Sequence, residues 1–535
     1  MEEKTQQLHL KQIDGEPVFR IHLFENQEMV DFKLGEQFTV EDADGNPLIK
    51  NIKSNLRWRV KIKSANPGKV HYYLVLYETF DAKRAEERLA VARKIAPEAR
   101  ILTLGGEIFL NNKKINSNTK YTIVVGEYSS ELAAKRHIKR FRPEFSPRVE
   151  KAIAQPGTGE IEIFDAEYEN SAETANAVRI VPKDFNAKIK LYNIRGVDEI
   201  LQKEYYKDHV YNGTIEFRID PQGRLMAISE LPLESYLKRV VYSEIGTELP
   251  LEFSKSLAIV CRSEVMARIG HKHLGAPYDM CNWGHCLRYY GDDFEDKNIE
   301  AAIEQTRGQV IVARGLIVDT YFNLICGGHT EDASGVWEID EAPFFHGKYD
   351  WTETPKEFAN LQDEDTVRRW IHARPEAWCN LKGRQVPDSL EKAKQYFRWE
   401  VNYSRRELEE IIRKKTGEDL GDLFDVVPIQ RGASGRLKEV ELMGSLKNYR
   451  LRGELSIREA LAYDYLPSSC FYVEKEMDET GTPYLFTFVG AGQGHGVGMC
   501  KTGGAVMAME GHTCEQILNH YFEDCNLESI YKMGQ

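Results

Sequence analysis

The sequence predicts an α+β protein. Strand-like and helix-like runs interleave without the regular alternation of a parallel α/β fold. A weak strand-to-helix repeat stands near the start, and glycine and histidine turns follow β-branched runs in the second half. A length of 535 residues suits about three to four units of ~150 residues. Apolar residues make up 42% and charged residues 29% of the chain, an ordinary globular composition.

The same numbers exclude several classes. No run approaches the ~20 apolar residues that a spanning helix needs. The formal net charge of −13 argues against a duplex nucleic-acid binder, which presents a basic face, so no nucleic-acid partner is expected. Nine cysteines are an odd number in a long chain, and most read as small hydrophobes rather than a disulfide framework. The start, MEEKTQQLHL, has acids where a secretory leader is basic. The chain either stays in the cytoplasm or lacks a removed leader.

Residues 17–50 alternate apolar and polar positions around the hairpin signal DADGN and predict a small antiparallel unit. KVHYYLVLYETFDAKRAEERLAVARKI (69–95) and KYTIVVGEYSSELAAKRHIKRF (120–141) each run from a strand through an acidic turn into a helix, with ILTLGG and IFLN as strands between them. RFRPEFSPRVEKAIAQPGTGE, with three prolines, reads as a linker. GEIEIFDAEY, NAVRIVP, KIKLYNIRG, GTIEFRID and RLMAIS read as strands, with a turn at DPQG (220–223). Two helices follow, then the strands QVIVARG and LIVDTYFNLI and an acidic, Trp-rich region at 337–399. After these come the helix SRRELEEIIRKK, the strands RLKEVELMG and NYRLRG, and a terminal helix opened by the capping box of Thr513 and Gln516.

In LPLESYLKRVVYSEI, Leu233, Tyr236, Leu237, Val240 and Val241 form the stripe of a core-facing helix, and Glu244 projects along it. Burial would raise the pKa of this acid and suit it to carry a proton near neutral pH. The alternative is a frayed last turn at Ile245–Gly246 that gives Glu244 to solvent. The next segment, PLEFSKSLAIVCRSEVMARIG, starts with Pro250 and spaces Leu257, Cys261, Val265 and Ile269 by four, a second core helix. HKHLGAPYDMCNWGHC gathers His271, His273, Asp279, Cys281, His285 and Cys286, a donor set that suits zinc. Two buried thiols or one disulfide fit the C-x4-C spacing as well. ICGGHTEDASGVW and VGAGQGHGVGMCKTGG place glycines around His329 and His495, letting backbone pass close to a ligand or another strand. They lack the strand–turn–helix context of a dinucleotide site.

Taken in order, LPLESYLKRVVYSEIGTELPLEFSKSLAIVCRSEVMARI, YDMCNWGHCLRYYGDD, CGGHTEDASGVW, RGASGRLKEVELMG, LSIREAL and GQGHGVGMCKTGGAVMAMEG resemble the motifs of the SpoIID/LytB family over about residues 205–530. That family comprises stage II sporulation protein D lytic transglycosylases and amidase enhancers of bacterial cell walls. Residues 69–141 are similar, more weakly, to SPOR domains, which bind peptide-free glycan strands. Residue patterns and the resemblance together predict a strand-rich segment at 1–60, a SPOR-like module at 61–145, a linker and lead-in at 146–204, and a SpoIID-like catalytic domain at 205–535 with an insertion at about 340–425.

It also implies roles. Glu244 is the general acid/base, and one zinc ion is held by Cys281, Cys286 and an upstream histidine, His273, with His271 as the alternative. The two turns form the cleft, with His329, Thr330, Glu331, Gly494, His495 and Gly496 binding substrate. Departures from the family pattern stand at Leu287, Lys501, Thr502, Ala491, Gln493, Trp283 and Gly284.

A lytic transglycosylase cuts the MurNAc–GlcNAc bond using the sugar's own C6 hydroxyl as nucleophile. One carboxyl therefore suffices where most glycosidases need two. The expected substrate is peptidoglycan glycan, the partners cell-wall amidases or sporulation and division proteins, and the location extracytoplasmic. The alternative is a glycan-binding protein without bond-breaking activity that stimulates an amidase. A zinc hydrolase would need an HExxH-like base, which the sequence lacks.

Overall fold

In the computed structural model, residues 6–141, 144–197, 203–282, 286–291, 295–337 and 345–532 are described. Two antiparallel sheets pack face to face at the base of the molecule. One runs Ser171–Ala175, Thr158–Asp165, Trp58–Asn66, Met29–Leu34, Ile189–Val197, Glu204–Tyr211. The other runs Gln12–Ile13, Glu16–Gln27, Leu225–Pro232, Thr214–Ile219, Ala177–Pro182, Phe38–Asp42, Pro47–Ile52. Their inner faces meet through Phe32, Phe38, Trp58 and Phe217, with the Phe38 and Trp58 rings 5.5 Å apart edge to face. The hairpin expected at DADGN forms between Phe38–Asp42 and Pro47–Ile52, and the Asp42 carboxylate accepts from the backbone N–H groups of Asp44 and Asn46. The strands expected between 159 and 229 all form, and Asp220 closes the DPQG turn through the N–H groups of Gln222 and Arg224.

This pairing crosses the boundaries expected at 60/61, 145/146 and 204/205. Glu16–Gln27 pairs with Leu225–Pro232, so the first strands belong to the same sheet as those leading into the helical core. The stretch expected as a linker contains the strand Arg148–Gln155, paired with Lys69–Thr79. Its alternating pattern outweighs its prolines, which stand outside the strand. The inserted module therefore spans 69–155. Its sheet runs Arg148–Gln155, Lys69–Thr79, Lys120–Tyr128, Arg100–Leu104 and carries the helix Ala82–Ile95, capped by Asp81. The strand order and helix positions are those of a split βαββαβ unit. IFLN leaves that sheet, because Glu107–Leu110 pairs with Gln7–His9 and Lys113–Ser117.

Above the sandwich lie the helices Leu233–Ile245 and Leu251–Ala267. The expected stripe of Leu233, Tyr236, Leu237, Val240 and Val241 is fully buried. The second helix is buried almost all round, including Arg262. That guanidinium donates to both oxygens of Glu234, at 3.1 and 2.5 Å, and to the Gln309 carbonyl. Glu234 also accepts from Gly308 N–H and the Tyr531 hydroxyl, which ties Tyr531 to the helix Leu233–Ile245. A separate apolar core, from Trp399 to Phe488, organises two three-stranded sheets and the helix Arg405–Thr416, whose capping box joins Ser404 and Glu407.

Removing Glu234 strands a buried guanidinium. Glu234→Ala is expected to lose about 3–5 kcal/mol in denaturant unfolding followed by tryptophan fluorescence. A loss under about 1 kcal/mol would mean that water solvates Arg262.

Candidate functional site

The Leu233–Ile245 helix stops at Gly246, whose φ of 77° lies in the region that favours glycine. The turn does not fray. Ser243 donates to the Arg239 carbonyl at 2.7 Å and accepts from Tyr290 N–H at 3.0 Å, while Glu244 Oε1 accepts from Arg288 N–H at 3.0 Å. Lys501 Nζ donates to Glu244 Oε2 at 2.8 Å and to its carbonyl at 2.9 Å. The Glu244 side chain is 7% exposed.

Burial alone would raise the pKa of Glu244. The Lys501 ammonium, aided by the Arg288 N–H and guanidinium, outweighs it and holds the carboxyl below its ordinary value. The sequence-based expectation of an acid kept protonated by burial is therefore corrected: Glu244 rests ionised, because the Lys501 ammonium lies against it. Nor is it the sole acid of the cleft. Glu264 and Asp319 line the same space, both held by Arg268, with the Asp319 contact at 2.6 Å. Burial pushes Glu264 up to about 7 against the pull of Arg268.

The cleft has a volume of about 1490 Å³. Its walls come from three parts of the chain: Tyr77 and Arg148 of the 69–155 module, Glu244 and His273 of the helical core, and Trp337 and Gly494 beyond it. Tyr321 and Trp337 stack at 4.4 Å along one side.

The cysteine loop rides on the sandwich edge. Met280–Cys281 pairs in parallel with Ile21 and His22, and Asp279 of the expected cluster accepts from Arg20 N–H at 2.8 Å. Among the described residues, His273, Cys281 and Cys286 bring donor atoms within 4.8 Å of one another, with His273 Nε2 3.2 Å from Cys286 Sγ. His273 takes a left-handed φ of 57°. His271 points away, its Nε2 lying 2.6 Å from the Asn118 carbonyl. The imidazole and two thiols suit zinc by donor type, and this geometry favours His273 over His271. No disulfide joins Cys281 and Cys286. His285, Trp283 and Gly284 lie outside the described residues.

The two glycine turns part company with expectation. Gly494 and His495 line the cleft. His495 Nδ1 accepts from Val497 N–H at 3.0 Å, so the ring is neutral with its proton on Nε2; burial and the nearby Arg436 lower its pKa to about 3. Gly496, His329, Thr330 and Glu331 do not line it. His329 is buried, its Nδ1 2.7 Å from the Thr330 carbonyl, and burial lowers its pKa to about 4. Thr330 exchanges hydrogen bonds with Lys348. Glu331 accepts from Ala433 N–H, Ser434 N–H and the Ser434 hydroxyl. These residues hold up the cleft wall because their polar atoms are consumed by backbone partners. Gly496 lies against Arg436, where a Cβ would stand 2.4 Å from the guanidinium carbon.

Arg436, Lys501, Glu264 and Trp337 had no role in the sequence reading. Lys501 was legible only as a departure from the family pattern. The others stand in quoted motifs, but their roles depend on residues distant in the chain and could not be read from them.

The class is now defined: an α+β protein with a carboxylate–lysine pair at a helix end facing a cleft, beside a His-Cys-Cys cluster. Residues 221–312 match the family model of the stage II sporulation protein, SpoIID. Residues 331–498 match a domain of unknown function, DUF8618. The chain is similar to an uncharacterized protein of Brachyspira hyodysenteriae, 24% identical over 383 residues, 70% of this chain and 90% of the relative. It is also similar to the amidase enhancer of Bacillus subtilis, 22% identical over 308 residues, 55% of this chain and 40% of that protein. No described helix is long and apolar enough to cross a membrane.

Lys501→Gln removes the cation that lowers Glu244. The pKa of Glu244 is expected to rise, read as the carboxyl band lost between the infrared titrations of Lys501→Gln and Lys501→Gln/Glu244→Gln. In the wild type the pair stabilises the fold above the ordinary carboxyl value of 4.5, and that stability is lost as pH falls through the lowered pKa. An unshifted band in Lys501→Gln would show that Lys501 does not set this charge.

Proposed function

We propose that the protein binds peptidoglycan glycan strands in this cleft and cuts them as a lytic transglycosylase through Glu244. A cell-wall role is what the SpoIID match and the similarity to an amidase enhancer support together. The observation that carries the finer reading is the position of Glu244: a buried acid on a rigid helix end, opening on a cleft of about 1490 Å³.

In this reading the carboxyl protonates the leaving oxygen and then accepts the proton of the C6 hydroxyl, which closes on C1 to leave a 1,6-anhydro end. Both steps pass one proton through one group, and no water is consumed. Because Lys501 keeps Glu244 ionised at rest, the reactive protonated form grows as pH falls, and substrate that draws the ammonium away would enlarge it further. Zinc at His273, Cys281 and Cys286 would brace the loop whose Arg288 N–H holds Glu244. The module at 69–155 supplies one wall and, on its likeness to SPOR domains, would grip peptide-free glycan. The site would lie outside the cytoplasm, where its substrate is.

The Glu244–Lys501 ion pair also favours a second reading, a glycan-binding protein that stimulates a cell-wall amidase and leaves the glycosidic bond intact.

Mass spectrometry of peptide-free glycan strands separates the two. The transglycosylase gives anhydro-muramyl ends with wild type, a fall of at least 100-fold with Glu244→Gln, and an activity profile moved to higher pH with Lys501→Gln. Loss of products with Glu264→Gln but not Glu244→Gln would move the acid to Glu264. Glycan retained without products from any variant would leave the binding protein.

A further inference from the structure

We propose a second metal site, structural and distinct from the cysteine loop: a zinc ion held by Cys326, Asp350, Cys379 and Cys500. This inference is independent of what the cleft cuts. The four residues come from four separate stretches of chain and meet in the dry interior, each at most 1% exposed. Their donor atoms all lie within 4.8 Å of one another. Cys326 Sγ is 3.6 Å from Cys379 Sγ and 3.2 Å from Asp350 Oδ2. A tetrahedral zinc with bonds of about 2.3 Å to sulfur and about 2.0–2.2 Å to oxygen sets its ligands about 3.5–3.8 Å apart. The spacing suits a single ion, and four protein ligands close its coordination sphere, as in structural sites. Thiolates select zinc over magnesium or calcium.

The surroundings are those of metal-bound anions. Cys500 Sγ accepts from the N–H groups of Cys326 and Gly503, both at 3.3 Å, and Cys326 Sγ accepts from Gly328 N–H at 3.4 Å. Cys500 caps the nine-residue helix Lys501–Met509, whose N-terminal dipole favours a thiolate. The second oxygen of Asp350 is oriented by the Tyr521 hydroxyl at 2.8 Å and His520 Nε2 at 3.2 Å, the outer hydrogen bonding that positions a ligating carboxylate. A Cβ on Gly503 would stand 2.7 Å from Asp350 Oδ2, so glycine keeps the space clear. A disulfide does not account for the cluster, since 3.6 Å far exceeds an S–S bond of about 2.05 Å.

The ion would join Cys379 and Asp350 of the inserted part to Cys500, the residue before Lys501. It would thereby fix the lysine that charges Glu244.

The test is metal analysis of the full chain, purified under reduction and loaded with zinc or with cobalt(II). Cys281→Ser/Cys286→Ser is expected to retain one equivalent of zinc, and its cobalt form to show sulfur-to-metal charge transfer for three thiolates. Cys326→Ser/Cys500→Ser in that background is expected to lose the remaining equivalent. A folded Cys281→Ser/Cys286→Ser protein, checked by circular dichroism, that holds no metal overturns the proposal. So does a Cys326–Cys379 disulfide in non-reducing peptide maps of the reductant-free chain. Should that variant not fold, the wild-type cobalt spectrum decides: five or three thiolates support the second site, and two overturn it.

Discussion

The buried guanidinium of Arg436 is the constraint on which the cleft wall depends. It donates to the carbonyls of Gly494 and Cys326 and to the Ser434 hydroxyl, at 3.3, 3.1 and 2.9 Å, and lies 3.5 Å from the His329 carbonyl. One side chain thus gathers the backbone of both glycine turns and the turn at 432–436. Those carbonyls face each other across the interior, away from water, and each would cost free energy if left unmet. The planar fork of arginine reaches several at once in a way that an ammonium does not. Glu331 completes the arrangement by binding Ala433 and Ser434, and it counters the Arg436 charge within the same shell.

From this hub the geometry passes outward to the acid. The GQGHG turn leads into Met499–Cys500, which pairs in parallel with Phe322–Asn323, and the next residue is Lys501. Its ammonium closes on Glu244 from one side while Arg288 N–H closes from the other. The charge of Glu244 is therefore set jointly by the glycine turns and the cysteine loop, two regions more than 200 residues apart in the chain. Desolvation and ion pairing act on it in opposite directions, and with two cationic neighbours against one burial penalty the ionised form wins.

Much of the fold was legible because it rests on local patterns. The stripe from Leu233 to Val241, the capping box at Thr513, and the DADGN and DPQG turns each express physics within a few residues. The domain boundaries were not legible, since an alternating strand such as Arg148–Gln155 says that it will pair but not with which partner. The site divided along the same line. Glu244, His273, Cys281 and Cys286 stand in short motifs, whereas Cys326, Asp350, Cys379 and Cys500 share no spacing that a linear reading detects.

By itself the sequence determined that the chain is α+β, that the helix ending in Glu244 carries a core-facing stripe, and that a histidine and two cysteines share one loop. Only the tertiary structure decided that Glu244 is ionised, that Glu331 and His329 brace the wall instead of lining the cleft, and that three distant cysteines meet around Asp350. The reason is range. Periodicity and capping depend on neighbours along the chain, but a pKa, a ligand set and a buried hydrogen-bond hub depend on which neighbours the fold brings through space.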